Sequence, residues 1–266
     1  MTPMTTLVRA ELFKLRTTRL TYGLLATAAG LTILFSVLEA SRAGTKAGGI
    51  APLYTASGLD SVITGGTWAL LLAAILGVTV SSGEFRHSTA TLTYLATPHR
   101  SRVLGAKAIA AAAAGVVFGL VGYLIAAGVG LIFVAAHGYH LAVGDATLAR
   151  YGAGHLAAAA LLAAVGVAVG SLVRSQLAAI IGVFVWTIVI ESLIGGLFKS
   201  VQPYLPYTAA TTLAGSSLGG AAFGPAHDAA TSATALPFAA AAGLLIGIAA
   251  VLSLLAARIT VPRDVS

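Results

Sequence analysis

A chain of 266 residues that is 58% hydrophobic and only 9% charged cannot hydrate the surface of a soluble domain, which takes about 25% charged residues. Its apolar runs suit bilayer-crossing helices of about 20 residues, and they do not alternate as the strands of a membrane barrel would. With no cysteine in the chain, disulfides and thiolate metal sites are excluded.

In chain order, the first element is the basic stretch TTLVRAELFKLRTTRL. Val8, Leu12 and Leu15 recur there at helical spacing, while Arg9, Lys14 and Arg16 occupy other faces. This is a topogenic flank, an amphipathic helix over 1–19 lying in the headgroup plane, or both. Six candidate spans follow: Leu20 to Leu38, Val62 to Val80, Val103 to Ala136, Ala153 to Val173, Leu177 to Phe198 and Ala235 to Ala257. The third is too long for a straight crossing, so it either projects from the membrane or breaks near Gly128 and Gly130. The fourth and fifth are joined by RSQ alone and form a tight hairpin. The expected fold is all-α, a single polytopic membrane domain over 1–266 with six transmembrane helices. No cleavable signal peptide is expected, because a full-length apolar span follows the charged start.

An even number of spans places both termini on one side. That side holds Arg9, Lys14, Arg16, Arg19, Arg86, Arg100, Arg102, Lys107, Arg174, Arg258 and Arg263, eleven of the fifteen cations. Arg42, Lys46, Arg150 and Lys199 fall opposite. By the positive-inside rule both termini are expected in the cytoplasm, the protein being a multi-pass component of the cytoplasmic (inner) membrane. The net charge of +7 is then explained by topology and needs no nucleic acid.

The stretch GEFRHSTATLTYLATPHRSRVLGAK, between spans two and three, gathers four cations, two histidines and one carboxylate. Ser88 or Thr89 can cap a short helix that Pro98 ends, with Leu92, Tyr94 and Leu95 on it. It is either a solvated loop or a docking element. A helix fastened at both ends to transmembrane helices can transmit a push to the bundle, and a merely solvated loop has no need of a Leu/Tyr surface.

The basic start ELFKLRTTR, this loop, the turn GSLVRSQLAAI and the six-span plan together resemble the membrane subunits of ABC transporters, specifically the ABC-2 (type 2 exporter) permease family. The resemblance covers almost the whole chain. Residues Glu84, Phe85, Arg86, Ser88, Thr89, Pro98 and Arg100, with Arg102 close behind, match a pattern common in that family; Ser88 stands where glycine is frequent. The resemblance implies a cytoplasmic coupling helix within 83–102. Its contacts to an ATPase subunit would involve Glu84, Phe85, Arg86, Leu92, Tyr94, Leu95, Arg100 and Arg102. It further implies a separate cytoplasmic ABC ATPase, in two copies, carrying ATP and Mg, and a second permease chain, identical or similar, completing the pathway. Export of a hydrophobic or amphipathic drug, antibiotic, peptide or lipid is the implied activity, an efflux function of the kind that confers multidrug resistance. The chain contains no G-x-x-x-x-G-K-[ST] phosphate loop, so it is expected to be a transport subunit rather than an enzyme.

Glu191, in FVWTIVIESLIGG, is the one acid deep within a span and is expected to face the bundle interior. It is either a structural clasp or part of a substrate pathway with Phe184 and Trp186. Three G-x-x-x-G pairs, Gly115/Gly119, Gly166/Gly170 and Gly243/Gly247, read as close packing within the chain. The segment 199–234 is expected to form a pair of short re-entrant or interfacial helices on the outer side, its tyrosines suiting the interface. GSSLG with His227 and Asp228 matches a nucleophile-elbow spacing, but no α/β sheet is predicted to carry it. His137 and His140 near Asp145 lack a defined further ligand set for a metal. The alternative to an ATP-driven exporter is a gradient-driven carrier or channel, which would usually carry more intramembrane charge.

Overall fold

The computed structural model describes residues 4–45, 50–86, 100–140, 143–173, 175–215 and 236–259. Its regular elements are all helices. They are α1 (Met4–Thr17), α2 (Arg19–Arg42), α3 (Ala56–Thr64), α4 (Thr67–Arg86), α5 (Arg100–Ala136), α6 (Asp145–Leu172), α7 (Gln176–Leu197), α8 (Pro206–Leu213) and α9 (Phe238–Ile259). Among the described residues six helical stretches are long and apolar enough to cross a membrane: α2, α3 with α4, α5, α6, α7 and α9. The protein is a polytopic all-α membrane protein.

The second span is the hub, with 89% of its most apolar window buried. It packs most extensively on α6, which also packs closely on α5. Small residues make that approach attainable, since apolar side chains gain nothing by leaving lipid and the helices are held by tight contact. A side-chain carbon on Gly166 would collide with the Ala74 carbonyl of α4, and one on Gly77 with the Ala163 carbonyl of α6. Gly170 lies against the Ser81 hydroxyl and the Val78 carbonyl of α4, and Gly115 and Gly119 meet the Ala159 and His155 carbonyls of α6. Two of the three glycine pairs are therefore packing contacts within the chain. Gly243 and Gly247 are not: nothing lies within 4 Å of a carbon placed on either, because that face of α9 points out of the bundle.

The second span also departs from a simple rod. The chain turns at Gly65 and Gly66 between α3 and α4, and the carbonyls there need outside partners. The buried Ser36 hydroxyl of α2 donates to the Val62 carbonyl at 3.0 Å, and the Tyr207 hydroxyl of α8 donates to the Thr67 carbonyl at 2.9 Å. The third span does not break at Gly128 and Gly130. It runs as one helix of 37 residues, about 55 Å at 1.5 Å per residue, and so projects beyond the hydrocarbon. Gly130 lies against Leu59 of α3, which accounts for the glycine without a kink.

Helix α1 packs against α5, burying Glu11 and Leu15 with Val8 and Leu12 half-buried, while Arg9, Lys14 and Arg16 stay exposed. Beyond α7, a 3-10 turn at Gln202–Tyr204 leads into α8, which Pro206 opens and whose residues are mostly buried. A short helix thus re-enters the bundle within 199–234; the second helix expected there lies outside the described residues, as do GSSLG beyond Gly215, His227 and Asp228.

Candidate functional site

Span five supplies the centre of the site. A π turn at Trp186–Ile190 interrupts α7 and brings residues five apart onto one face. The Trp186 indole Nε1 consequently donates to Glu191 Oε1 at 2.9 Å. The Glu191 carboxylate also caps the start of α8. It accepts the Tyr207 amide at 2.9 Å on Oε1 and 3.1 Å on Oε2, the Thr208 amide at 3.0 Å and the Thr208 hydroxyl at 3.2 Å. Backbone N–H groups at a helix start have no partner within the helix and carry partial positive charge, so a carboxylate satisfies both deficits at once. Glu191 is 2% exposed and fastens the re-entrant helix to span five.

Beside this clasp lies a cavity of about 330 Å³ between α4, α6, α7 and α9. Leu71, Leu162, Val165, Val183, Ile248 and Leu252 give it an apolar wall, and Trp186, Thr187, Glu191 and Tyr207 close one end. Trp186 and Glu191 of the expected pathway are therefore brought together on this cavity. Phe184 is not: it points outward, 45% exposed, on the surface of span five.

The expected coupling residues are less fully placed. Glu84, Phe85 and Arg86 form the last residues of α4, and Arg100 opens α5 with Arg102 exposed two residues on. Leu92, Tyr94 and Leu95, with Ser88, Thr89 and Pro98, lie outside the described residues. At the roots of this segment the structure reveals an ion cluster that charge counting overlooks. Lys107, counted from sequence only as a cation on the side of the termini, is 4% exposed. Its ammonium lies 3.6 Å from the Glu11 carboxylate of α1 and donates to the Val80 carbonyl of α4 at 3.2 Å. Lys14 bonds the other Glu11 oxygen at 2.7 Å. One cluster thereby ties α1 to the adjoining ends of spans two and three. The signal was present in sequence as a lone acid among cations, Glu11 within RAELFK.

Lys107→Met should cost about 2 kcal/mol, less than the loss of an isolated buried pair because Lys14 still serves Glu11. A thermal-unfolding midpoint equal to that of the wild type would show that the cluster carries no stability.

Two more buried polar groups escaped the sequence reading. Asp60 of α3 is 4% exposed and lies close enough to Tyr151 of α6 to interact with its hydroxyl, with the Arg150 guanidinium 5.9 Å from the Tyr151 ring centroid. His155 of α6 donates from Nδ1 to the Tyr151 carbonyl at 2.9 Å, and its Nε2 has no hydrogen-bond partner among the described residues. Among the described residues no three His, Asp or Glu side chains converge as a metal site, and His137 Nδ1 is taken up by the Phe133 carbonyl at 2.8 Å. Compared with known proteins, the chain matches no family model and no curated protein.

Proposed function

We propose that the chain is the membrane-spanning subunit of an ATP-driven exporter of the ABC-2 kind, working as a pair of permease chains with two separate ATPase subunits. The observation that carries this reading is the junction at the roots of segment 87–99. That segment leaves the most buried span and returns as the longest helix, and Glu11 and Lys107 pin α1 across both. A partner that binds ATP with Mg, dimerises and presses on the segment would move α4, and α4 touches α2, α5, α6 and α7. In this reading α1 lies on the cytoplasmic leaflet with its exposed cations toward anionic lipid, both termini are cytoplasmic, and the substrate is hydrophobic or amphipathic.

Leu92, Tyr94 and Leu95 are the proposed anchors for the partner, with Glu84, Phe85, Arg86, Arg100 and Arg102 around them, because interface energy concentrates in a few apolar and aromatic side chains. Leu92→Asp or Tyr94→Asp should weaken ATPase binding by roughly a hundredfold, since a carboxylate buried without a partner costs about 3 kcal/mol. Arg86→Ala should do less. Co-purification of the ATPase with each variant, alongside transport in vesicles, is the test. Two aspartate variants that hold the partner and transport normally would reduce the segment to a solvated loop.

A second reading, a carrier driven by an ion gradient, is favoured by one observation. Asp60, His155 and Glu191 are all buried within an apolar bundle, where titratable groups mark ion or proton paths. Transport by the chain alone in vesicles under an imposed pH gradient would select this reading.

A further inference from the structure

We propose that the cavity between α4, α6, α7 and α9 binds an uncharged, largely hydrocarbon small molecule and rejects organic cations. The inference deepens the transport reading by naming a substrate class, and it rests on that reading for what the binding serves, not for the binding itself.

An acid inside a membrane bundle ordinarily suggests attraction of a cation. Here its two oxygens are already engaged. Four donors converge on Glu191: the Trp186 indole, the Tyr207 and Thr208 amides and the Thr208 hydroxyl. The positive end of α8, about half an elementary charge, offsets part of the carboxylate's charge. The other polar groups at this end are engaged as well, because the Trp186 N–H is given to Glu191 and the Tyr207 hydroxyl to the Thr67 carbonyl. Thr187 adds one hydroxyl to a wall that is otherwise hydrocarbon. A cation entering would shed its hydration against a hydrocarbon wall and find no carboxylate oxygen free to replace it, whereas an apolar molecule sheds little. A volume of about 330 Å³ lies at the lower end of ligand-binding cavities.

The way in is consistent with such a ligand. Spans five and six flank the cavity, yet they are the least buried of the spans and make no substantial packing contact with each other. Trp186, at the edge, is 41% exposed. In a bilayer the gap between these two spans opens on hydrocarbon. Gly182 of α7 lines the cavity, and nothing is within 4 Å of a carbon placed on it, so a larger side chain there has room to occupy the opening.

The chain has two tryptophans, so Trp68→Phe leaves Trp186 as a fluorescent reporter on the cavity wall, and phenylalanine preserves the stacking of residue 68 on Phe35. The full chain in lipid nanodiscs, without any partner, is titrated with 1-bromododecane or with (12-bromododecyl)trimethylammonium. The uncharged probe should quench Trp186 saturably, and the cation should bind at least about a hundredfold more weakly. Gly182→Leu, which fills the open volume, should abolish the saturable component, and Ile248→Phe should do the same from the opposite wall. Either substitution suffices if the other fails to fold. Quenching that never saturates, saturation that survives both substitutions, or equal affinity for the cation would overturn the proposal. Absence of an ATPase partner would instead overturn the exporter reading and leave this binding unchanged.

Discussion

Glu191→Ala should destabilise the bundle by about 4 kcal/mol, because it strands several buried donors together. The Tyr207 and Thr208 amides open α8 and have no helical partner, and the Trp186 N–H loses its acceptor as well. The expected result is poor accumulation in the membrane, and in detergent an unfolding midpoint well below that of the wild type. Glu191→Gln keeps one carbonyl oxygen but turns an N–H toward an amide, so it should fold and lose about half as much. If Glu191 also took part in transport, the glutamine variant would lower substrate-stimulated ATP turnover while leaving assembly and basal turnover intact. A normal midpoint for the alanine variant would show that α8 is held by something other than this clasp.

Gly166→Leu is the second large effect, expected at about 3 kcal/mol or more. The nearest atoms to a new side chain are backbone, the Ala74 carbonyl and Val78 amide of α4, and backbone cannot swing aside as a flexible side chain can. Spans two and four would have to separate along the most extensive contact in the protein. Gly243→Leu is the matched control, a glycine of the same motif with open space around it, and should leave the midpoint within about 0.5 kcal/mol of the wild type. Equal effects at the two positions would mean that the α4–α6 contact does not hold the bundle.

The six spans were readable because their signal, length with unbroken hydrophobicity, belongs to each segment alone. The same cause hid the rest. Hydropathy sees one continuous second span from Val62 onward and cannot register the turn at Gly65 and Gly66, which depends on Ser36 and Tyr207 from other helices. The π turn in span five is likewise invisible to a count of apolar residues, although it is what aligns Trp186 with Glu191. Glu191 was legible as an oddity, an acid among apolar neighbours, but its partners lie sixteen and seventeen residues on, in a segment whose helix is only eight residues long. Phe184 was placed beside it from adjacency in sequence, and helix geometry sends it the other way. Charge counting gave Lys107 a side of the membrane but no partner, and only packing of α1 against α5 reveals the acid it meets.

The central claim is that this chain works as one of two permease subunits bound to two ATPase subunits. Native mass spectrometry of the complex gently extracted from its own membranes tests it most directly. The expected result is a mass equal to two permease chains plus two chains of a P-loop ATPase. A stable monomer, free of any ATPase and transporting under an ion gradient alone, would contradict it.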